Sequence, residues 1–281
     1  MESIDRLIEL DKNTSKKIAV VGCAMEDVYI HGQLASCQED CYSFKEESRV
    51  SVPGGAANAA RSLSNWNASV ALFSNHQDIQ PIKTRFLVNG KFMWRHDLDQ
   101  IDCEAILAER RKSEFAKLKS NCFHGCLISD YAKGFLTPAF IRQVIDLANE
   151  RGVPVVADAK REPSIYAGAI IKANKDYCGR MVLGTYVERM VVTQGCESPI
   201  VFGTREEGLY TQLPEMKPVA CKNHVGAGDC FAAHLTLALA HKMSLQDACA
   251  IAHSAGRVYV QAEHNQPPAV GAIRADMSGG A

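Results

Sequence analysis

The sequence predicts an α/β protein with a mainly parallel central sheet and a small second β-sheet. Three observations lead there. Short apolar runs such as Ile18-Ala-Val-Val-Gly22, Leu127-Ile-Ser129 and Val153 to Ala157 recur without polar alternation, as strands buried on both faces do. From Leu127 onward they alternate with helical segments, the rhythm of βαβ units. Residues 28–33 and 42–52 are extended in another way, rich in Tyr, Phe and Val with imperfect alternation, and suit a separate, partly exposed sheet.

Taken in order, residues 1–17 are a polar leader with room for one short helix, resembling neither a signal peptide nor an Arg-rich transit peptide. The first buried strand ends at Gly22, and Asp27 follows at its exit. Pro53-Gly54-Gly55-Ala56-Ala57-Asn58 reads as a glycine turn opening a helix that runs to about Trp66, with Asn58 on its first turns. Ser69 to Ser74 is a strand, Asn75 to Pro81 a loop. Lys83 to Val88 and Phe92 to Arg95 form a hairpin around Asn89-Gly90, a strong short-range hairpin signal. Residues 101–119 are helical and polar. Thr137-Pro138 supplies a cap and a first-turn proline for a helix ending at Arg151-Gly152. Strands then end at Asp158, near Asn174 and at Gly195, and antiparallel edge strands are expected near 199–202 and 208–211. Helices over about 227–241 and 245–260 precede a Gly/Pro/Ser-rich tail, 263–281, expected to be flexible.

Asp27, Asp130, Asp158, Asn174 and Thr193 all stand at strand ends on what should be one edge of the sheet, where open α/β sheets bind ligands. Asn223-His-Val-Gly226-Ala227-Gly228-Asp229 leads into the apolar helix that follows. Small residues at a helix start expose backbone N–H groups at the positive end of the helix dipole, an anion site. A lone carboxylate there suits the removal of a proton from a hydroxyl that attacks a phosphate. An ordinary N-terminal Asp on a small-residue helix start is the other reading of that stretch alone.

The formal net charge of −1 gives no bulk pull toward nucleic acid or an anionic membrane. No apolar run approaches the ~18 residues of a membrane span. The 11 cysteines, without an export signal, read as reduced thiols of a cytoplasmic protein. Cys37/Cys41 and Cys122/Cys126, with His124 between the latter, have suggestive spacing, but buried free thiols account for them better than a metal site. No G-x-G-x-x-G follows the first strand, which disfavours a dinucleotide dehydrogenase.

With Gly54-Gly55 early and Gly226-Ala227-Gly228-Asp229 late, residues 18–262 resemble the ribokinase-like (PfkB) carbohydrate kinases. Within them, Lys83-Thr-Arg85, Arg95-His-Asp97, Ser129-Asp-Tyr-Ala-Lys-Gly134 and Asp158-Ala-Lys160 are similar to the heptose 7-phosphate kinases, the kinase half of the bifunctional ADP-heptose synthesis enzymes. The resemblance implies a three-layer ribokinase-like sandwich, with a single kinase domain over 18–262 and a small β lid from about 28–50 and 83–97. It implies ATP and Mg²⁺ as cofactors, Asp229 as base, and the amides of Gly226, Ala227 and Gly228 around the developing charge. Asp27, Gly54, Gly55, Asn58 and Asp130 would bind the sugar. Lys83, Arg85 and Lys133 would take a phosphate already on it. Asn174, Thr193, Gly195, Gly226, Gly228 and His253 would bound the nucleotide, and Asp176 would assist the metal. Family members often dimerise through the lid strands.

The chain also departs from the pattern. Asn223-His224 replaces the usual Asp-Thr, Tyr177 stands where a Glu supports the magnesium water shell, and Cys23 replaces an acidic residue. Roughly twenty residues are missing at each of two places relative to family expectation, between Ser74 and Lys83 and between Tyr177 and Met190. The stretch after Gly271 has no room for a nucleotidyltransferase. A binding or regulatory relative, and a kinase for another sugar or a nucleoside, are the alternatives to a heptose-type kinase.

Overall fold

Strand β1 (Lys17–Gly22) shows why the sheet is covered on both faces. Ile18 and Val20 enter one apolar layer, and Ala19 and Val21 enter the other. The computed structural model describes residues 2–36, 42–75, 77–99, 103–178, 189–205 and 209–279. Beside β1 lie β4 (Ser69–Ser74) on one side and β7 (Gly125–Ser129) on the other, both parallel to it. Next come β8 (Val155–Asp158), β9 (Ile170–Asn174) and β10 (Met190–Gln194), also parallel, and then β11 (Glu197–Phe202) and β12 (Thr211–Gln212), antiparallel. The spatial order is β12-β11-β10-β9-β8-β7-β1-β4.

One face carries α2 (Ala56–Arg61), α6 (Ala227–Ala240) and α7 (Leu245–Val260). The other carries α3 (Glu104–Ser120), α4 (Pro138–Glu150), whose Thr137 cap accepts from Phe140 N at 3.2 Å, and the one-turn α5 (Lys175–Cys178) after β9. Helix α6 is buried without interruption from Asp229 to Ala240, so it is the central helix of its layer. Its His234 is satisfied inside that core: Trp66 Nε1 donates to Nε2 at 3.1 Å, and Nδ1 meets the Cys230 carbonyl at 2.8 Å. Burial pushes this imidazole down to about 4, so it is neutral.

The second sheet is the expected one, with order β3-β2-β5-β6. It is built from β2 (Ala24–Ser36), β3 (Tyr42–Gly55), β5 (Ile82–Val88) and β6 (Lys91–Leu98). Asn89 (φ 51°) and Gly90 (φ 74°) form the two-residue turn of the β5–β6 hairpin. A short 3₁₀ turn over Gln77–Ile79 takes the chain from β4 to β5, so β4 is left as the edge of the large sheet. Cys37, Cys41, Gly208 and most of the stretch between Tyr177 and Met190 lie outside the described residues.

The N-terminal segment forms the one short helix for which it has room, whereas the C-terminal tail corrects the sequence reading. The polar leader is helix α1 (Glu2–Asn13), with Ile4 and Leu7 fully buried and the Asp11 carboxylate accepting from Asn67 N at 2.7 Å. The tail expected to be flexible forms α8 (Val270–Met277), with Ile273 fully buried against the α7 layer. Arg257 of α7 and Asp276 of α8 form a buried two-pronged ion pair, with contacts of 3.0 and 3.1 Å. Pro267 and Pro268 precede this helix, Gly271 lies in its first turn and Gly279 follows it. Helix α2 is also shorter than expected, because the chain passes into successive turns after Arg61.

Removing one partner from a buried ion pair leaves an uncompensated charge, a loss of about 3–5 kcal/mol. Asp276→Ala is therefore expected to lower the urea midpoint of unfolding by a corresponding amount. An unchanged midpoint would mean that α8 is not docked as described.

Candidate active site

Gly226 adopts a left-handed conformation (φ 82°) at the N-cap of α6. A Cβ there would run into Asn58 Nδ2 and Tyr259 Oη, so the turn needs glycine on both conformational and steric grounds. Asp229, in the first turn of α6, is only 3% exposed. Its carboxylate accepts from Asn58 Nδ2 at 3.1 Å and from the Tyr131 hydroxyl at 2.6 Å. Tyr259 Oη donates to Asn58 Oδ1 at 3.2 Å and so fixes the amide. Burial raises the Asp229 carboxyl to about 6; Asp158 adds to the rise, while Tyr131, Asn58 and Lys172 oppose it. That value favours proton acceptance near neutral pH.

Tyr131 escaped the sequence reading although its loop was quoted. The loop after β7 is built by Asp130, whose carboxylate accepts from Ala132 N (2.7 Å), Arg161 Nε (2.8 Å) and the Tyr166 hydroxyl (2.7 Å). These bonds hold Ala132 in the left-handed region (φ 55°) and aim Tyr131 at Asp229. Asp130, expected to bind sugar, instead spends its oxygens shaping this loop.

Asp27 also departs from expectation. It does not sit at the exit of β1 but within β2 of the small sheet, where it forms a buried ion pair with Arg85. Gly54 faces this carboxylate, and any side chain there would collide with it. Gly55 (φ 56°) starts α2, which delivers Asn58. Of the proposed phosphate ligands, Arg85 is thus committed to Asp27, and Lys133 pairs with Asp99. Lys83 Nζ lies 4.7 Å from the centre of the Tyr131 ring, and burial lowers its proton affinity.

On the other side of Gly226–Gly228 opens a cavity of ≈ 690 Å³, in the size range of small-molecule sites. It is lined by Asn174, Thr193, Gly195, Gly226, Gly228 and His253, the residues expected at a nucleotide. His253 is 8% exposed, its Nε2 is buried without a hydrogen-bond partner, and burial pushes it down to about 4. It therefore presents a neutral imidazole. The cavity also holds Lys172, which the sequence reading passed over inside the apolar run Ile170-Ile-Lys-Ala-Asn174. Lys172 is 3% exposed and pairs with Asp158 at 3.1 Å; Lys160 approaches the same carboxylate at 3.6 Å. A Cβ on Gly228 would meet Lys172 Nζ at 2.8 Å, which places this ammonium beside the helix start.

The departures from the family pattern are absorbed locally. Asn223 Oδ1 accepts from Val225 N at 3.0 Å, and its Nδ2 donates to the Tyr29 hydroxyl at 3.2 Å. Tyr177 is buried, with its N–H on Asn174 Oδ1 at 2.8 Å and its hydroxyl on the Arg161 carbonyl. Burial pushes the Cys23 thiol up to about 12. Among the described residues no three His, Cys, Asp or Glu side chains converge as a metal cage. The exposed carboxylates of Asp176 and Glu197 line the cavity, and Glu197 pairs with Lys175 at 3.6 Å.

The profile described as pfkB family carbohydrate kinase matches residues 175–270, which include the Gly226–Asp229 turn and most of the cavity wall. Over that third of its length the chain is similar to the pfkB family carbohydrate kinases. Curated relatives include the bifunctional protein HldE of Geobacter metallireducens, 28% identical over 76% of this chain and 48% of that protein. HldE of Campylobacter jejuni serotype O:6 is 26% identical over 90% of this chain and 63% of its own length. The chain thus spans about half to two thirds of these relatives. Its ribokinase-like fold is shared with a nucleoside kinase from Methanocaldococcus jannaschii, with a TM-score of 0.70 and 16% identity over 94% and 99% of the two chains. Arabidopsis thaliana ribokinase complexed with ribose and ATP gives 0.67 and 15% over 94% and 99%.

Tyr131 stabilises the ionised form of Asp229, so its loss raises the carboxyl further above about 6. Tyr131→Phe is expected to move the titration of the Asp229 carboxyl, followed by ¹³C NMR, to higher pH. An unmoved midpoint, or one displaced to lower pH, would contradict the contact.

Proposed function

We propose that this chain transfers the γ-phosphoryl group of ATP to a hydroxyl of a sugar phosphate of the heptose 7-phosphate type. The observation that carries this reading is the position of Asp229, a buried carboxylate of raised proton affinity between a polar small-sheet site and a nucleotide-sized cavity. The acceptor hydroxyl gives its proton to Asp229 as its oxygen bonds to phosphorus, and the bond to the ADP oxygen breaks. Amides at the start of α6, beside Lys172, hold the charge that develops on the transferred group. Asp176 and Glu197 would hold Mg²⁺ brought with the nucleotide, which supplies further charge neutralisation.

Asn58, Gly54 and the Asp27–Arg85 pair face the acceptor in this reading, and Lys83 takes the acceptor's own phosphate. The small sheet excludes water, which would otherwise compete as the acceptor. Exposed Phe92, Met93 and Trp94 on β6 support pairing of two copies through the same sheet.

The test is ADP release with Mg·ATP and a panel of sugars, with sedoheptulose 7-phosphate and heptose phosphates included. Asp229→Asn is expected to lower kcat by about 10²–10⁴, the range for a lost general base. Wild-type activity should fall as pH drops below about 6, where Asp229 takes up its proton. Lys83→Ala should raise KM about tenfold for phosphorylated acceptors and leave unphosphorylated ones little changed, in line with the loss of one charge-assisted contact. Full turnover by Asp229→Asn would refute the mechanism. No wild-type turnover, with a Tm raised by sugar phosphate, would favour a binding protein instead.

A further inference from the structure

Asn265 belongs to none of the motifs above, yet it is 2% exposed and lies between the two halves of the site. Its Oδ1 accepts from the Tyr29 hydroxyl at 3.1 Å and from Asn223 Nδ2 at 3.3 Å. Its Nδ2 donates to Asp27 Oδ2 and to the Pro53 carbonyl, both at 3.4 Å. One side chain thus touches β2, the strand leading into Gly54-Gly55, and the loop ahead of Gly226. His264 and Asn265 are both left-handed (φ 52° and 53°), a region that His and Asn enter more readily than most non-glycine residues. The His264 ring packs on Tyr29 (5.1 Å between centroids) and His31 (5.5 Å), which extends the contact along β2.

The direction of the hydrogen bonds explains residue types that otherwise look arbitrary. Donors run from Asn223 to Asn265 and from Asn265 to the carboxylate of Asp27. An ionised Asp at 223 has no donor to offer and would break the chain at its first link. The amide at 223 supplies that donor, alongside the Tyr29 hydroxyl.

We propose that Asn265 is a positioning residue that locks strand β2 of the small sheet to the loop preceding Gly226, so that the acceptor side and the phosphate-binding turn are ordered as one unit. The inference uses the proposed roles of the two sides, but the lock itself is a property of the protein without ligand. Asn265→Gly removes the side chain and keeps the left-handed backbone accessible, which separates the network from backbone strain. Tyr29→Phe removes one hydroxyl from the same network and serves as the milder variant.

The experiment is amide hydrogen exchange of the ligand-free protein, followed by steady-state kinetics. Asn265→Gly is expected to speed exchange at least fivefold both in residues 24–36 and in residues 223–228. Tyr29→Phe should do so at both places to a smaller degree, with α4 unchanged as an internal control. In kinetics with Mg·ATP and sedoheptulose 7-phosphate, Asn265→Gly should raise acceptor KM about tenfold and increase ADP release without sugar phosphorylation. KM for ATP should change less than twofold. Faster exchange in only one of the two segments, or in neither, overturns the lock. Inert wild-type protein with coupled exchange would leave the lock standing and sink the kinase reading instead.

Discussion

A single buried carboxylate sets the terms for the rest of this structure. Asp229 is held out of water at the start of the most buried helix in the molecule, and its charge is tolerated because four elements converge on it. Helix α2 brings Asn58, the loop after β7 brings Tyr131, α7 brings Tyr259 to fix Asn58, and β9 brings Lys172 against Asp158. The rise from the ordinary 3.8 to about 6 corresponds to roughly 3 kcal/mol held against folding at neutral pH. The sign follows from linkage: an acid with a raised folded value destabilises the fold above that value, and the penalty disappears as pH falls below the unfolded one. The apolar packing of α6 offsets this cost, so the core and the buried carboxylate depend on the same helix.

Charge on the two sides of Asp229 is arranged differently. On the cavity side, Lys172 and Lys160 share one carboxylate, Asp158, and leave positive potential beside the Gly226–Gly228 turn. On the small-sheet side, Arg85 is neutralised by Asp27, so that pair offers hydrogen bonds with little net charge. The first arrangement suits a polyanion such as a triphosphate, the second a polyol whose hydroxyls need definite partners. Lys83, drawn over the Tyr131 ring, sits where the two environments meet.

Much of this was legible in the sequence, for local reasons. Asn89-Gly90 and Thr137-Pro138 specify their turn and cap by their own stereochemistry, and the unbroken apolar runs specify buried strands. Gly226-Ala227-Gly228-Asp229 could be read as an anion-binding helix start because glycine and a first-turn acid act within one turn. What escaped depends on pairing across the chain. Lys172 and Asp158 are fourteen residues apart and meet only because β8 and β9 are neighbours. Asp27 looked like a strand exit, but the chain continues directly into β2, whose register with β5 brings Arg85 to it. The last helix was hidden by flanking glycine and proline, although Val270, Ile273 and Met277 already had helical spacing.

The most direct test of this account is the titration of Asp229 itself, followed by ¹³C NMR of its side-chain carboxyl in the protein without ligand and assigned by comparison with Asp229→Asn. A midpoint near 6 would show the desolvated carboxylate that the proposed base requires. A midpoint in the ordinary aspartate range, near 4, would mean that water reaches this carboxylate, and would contradict the account.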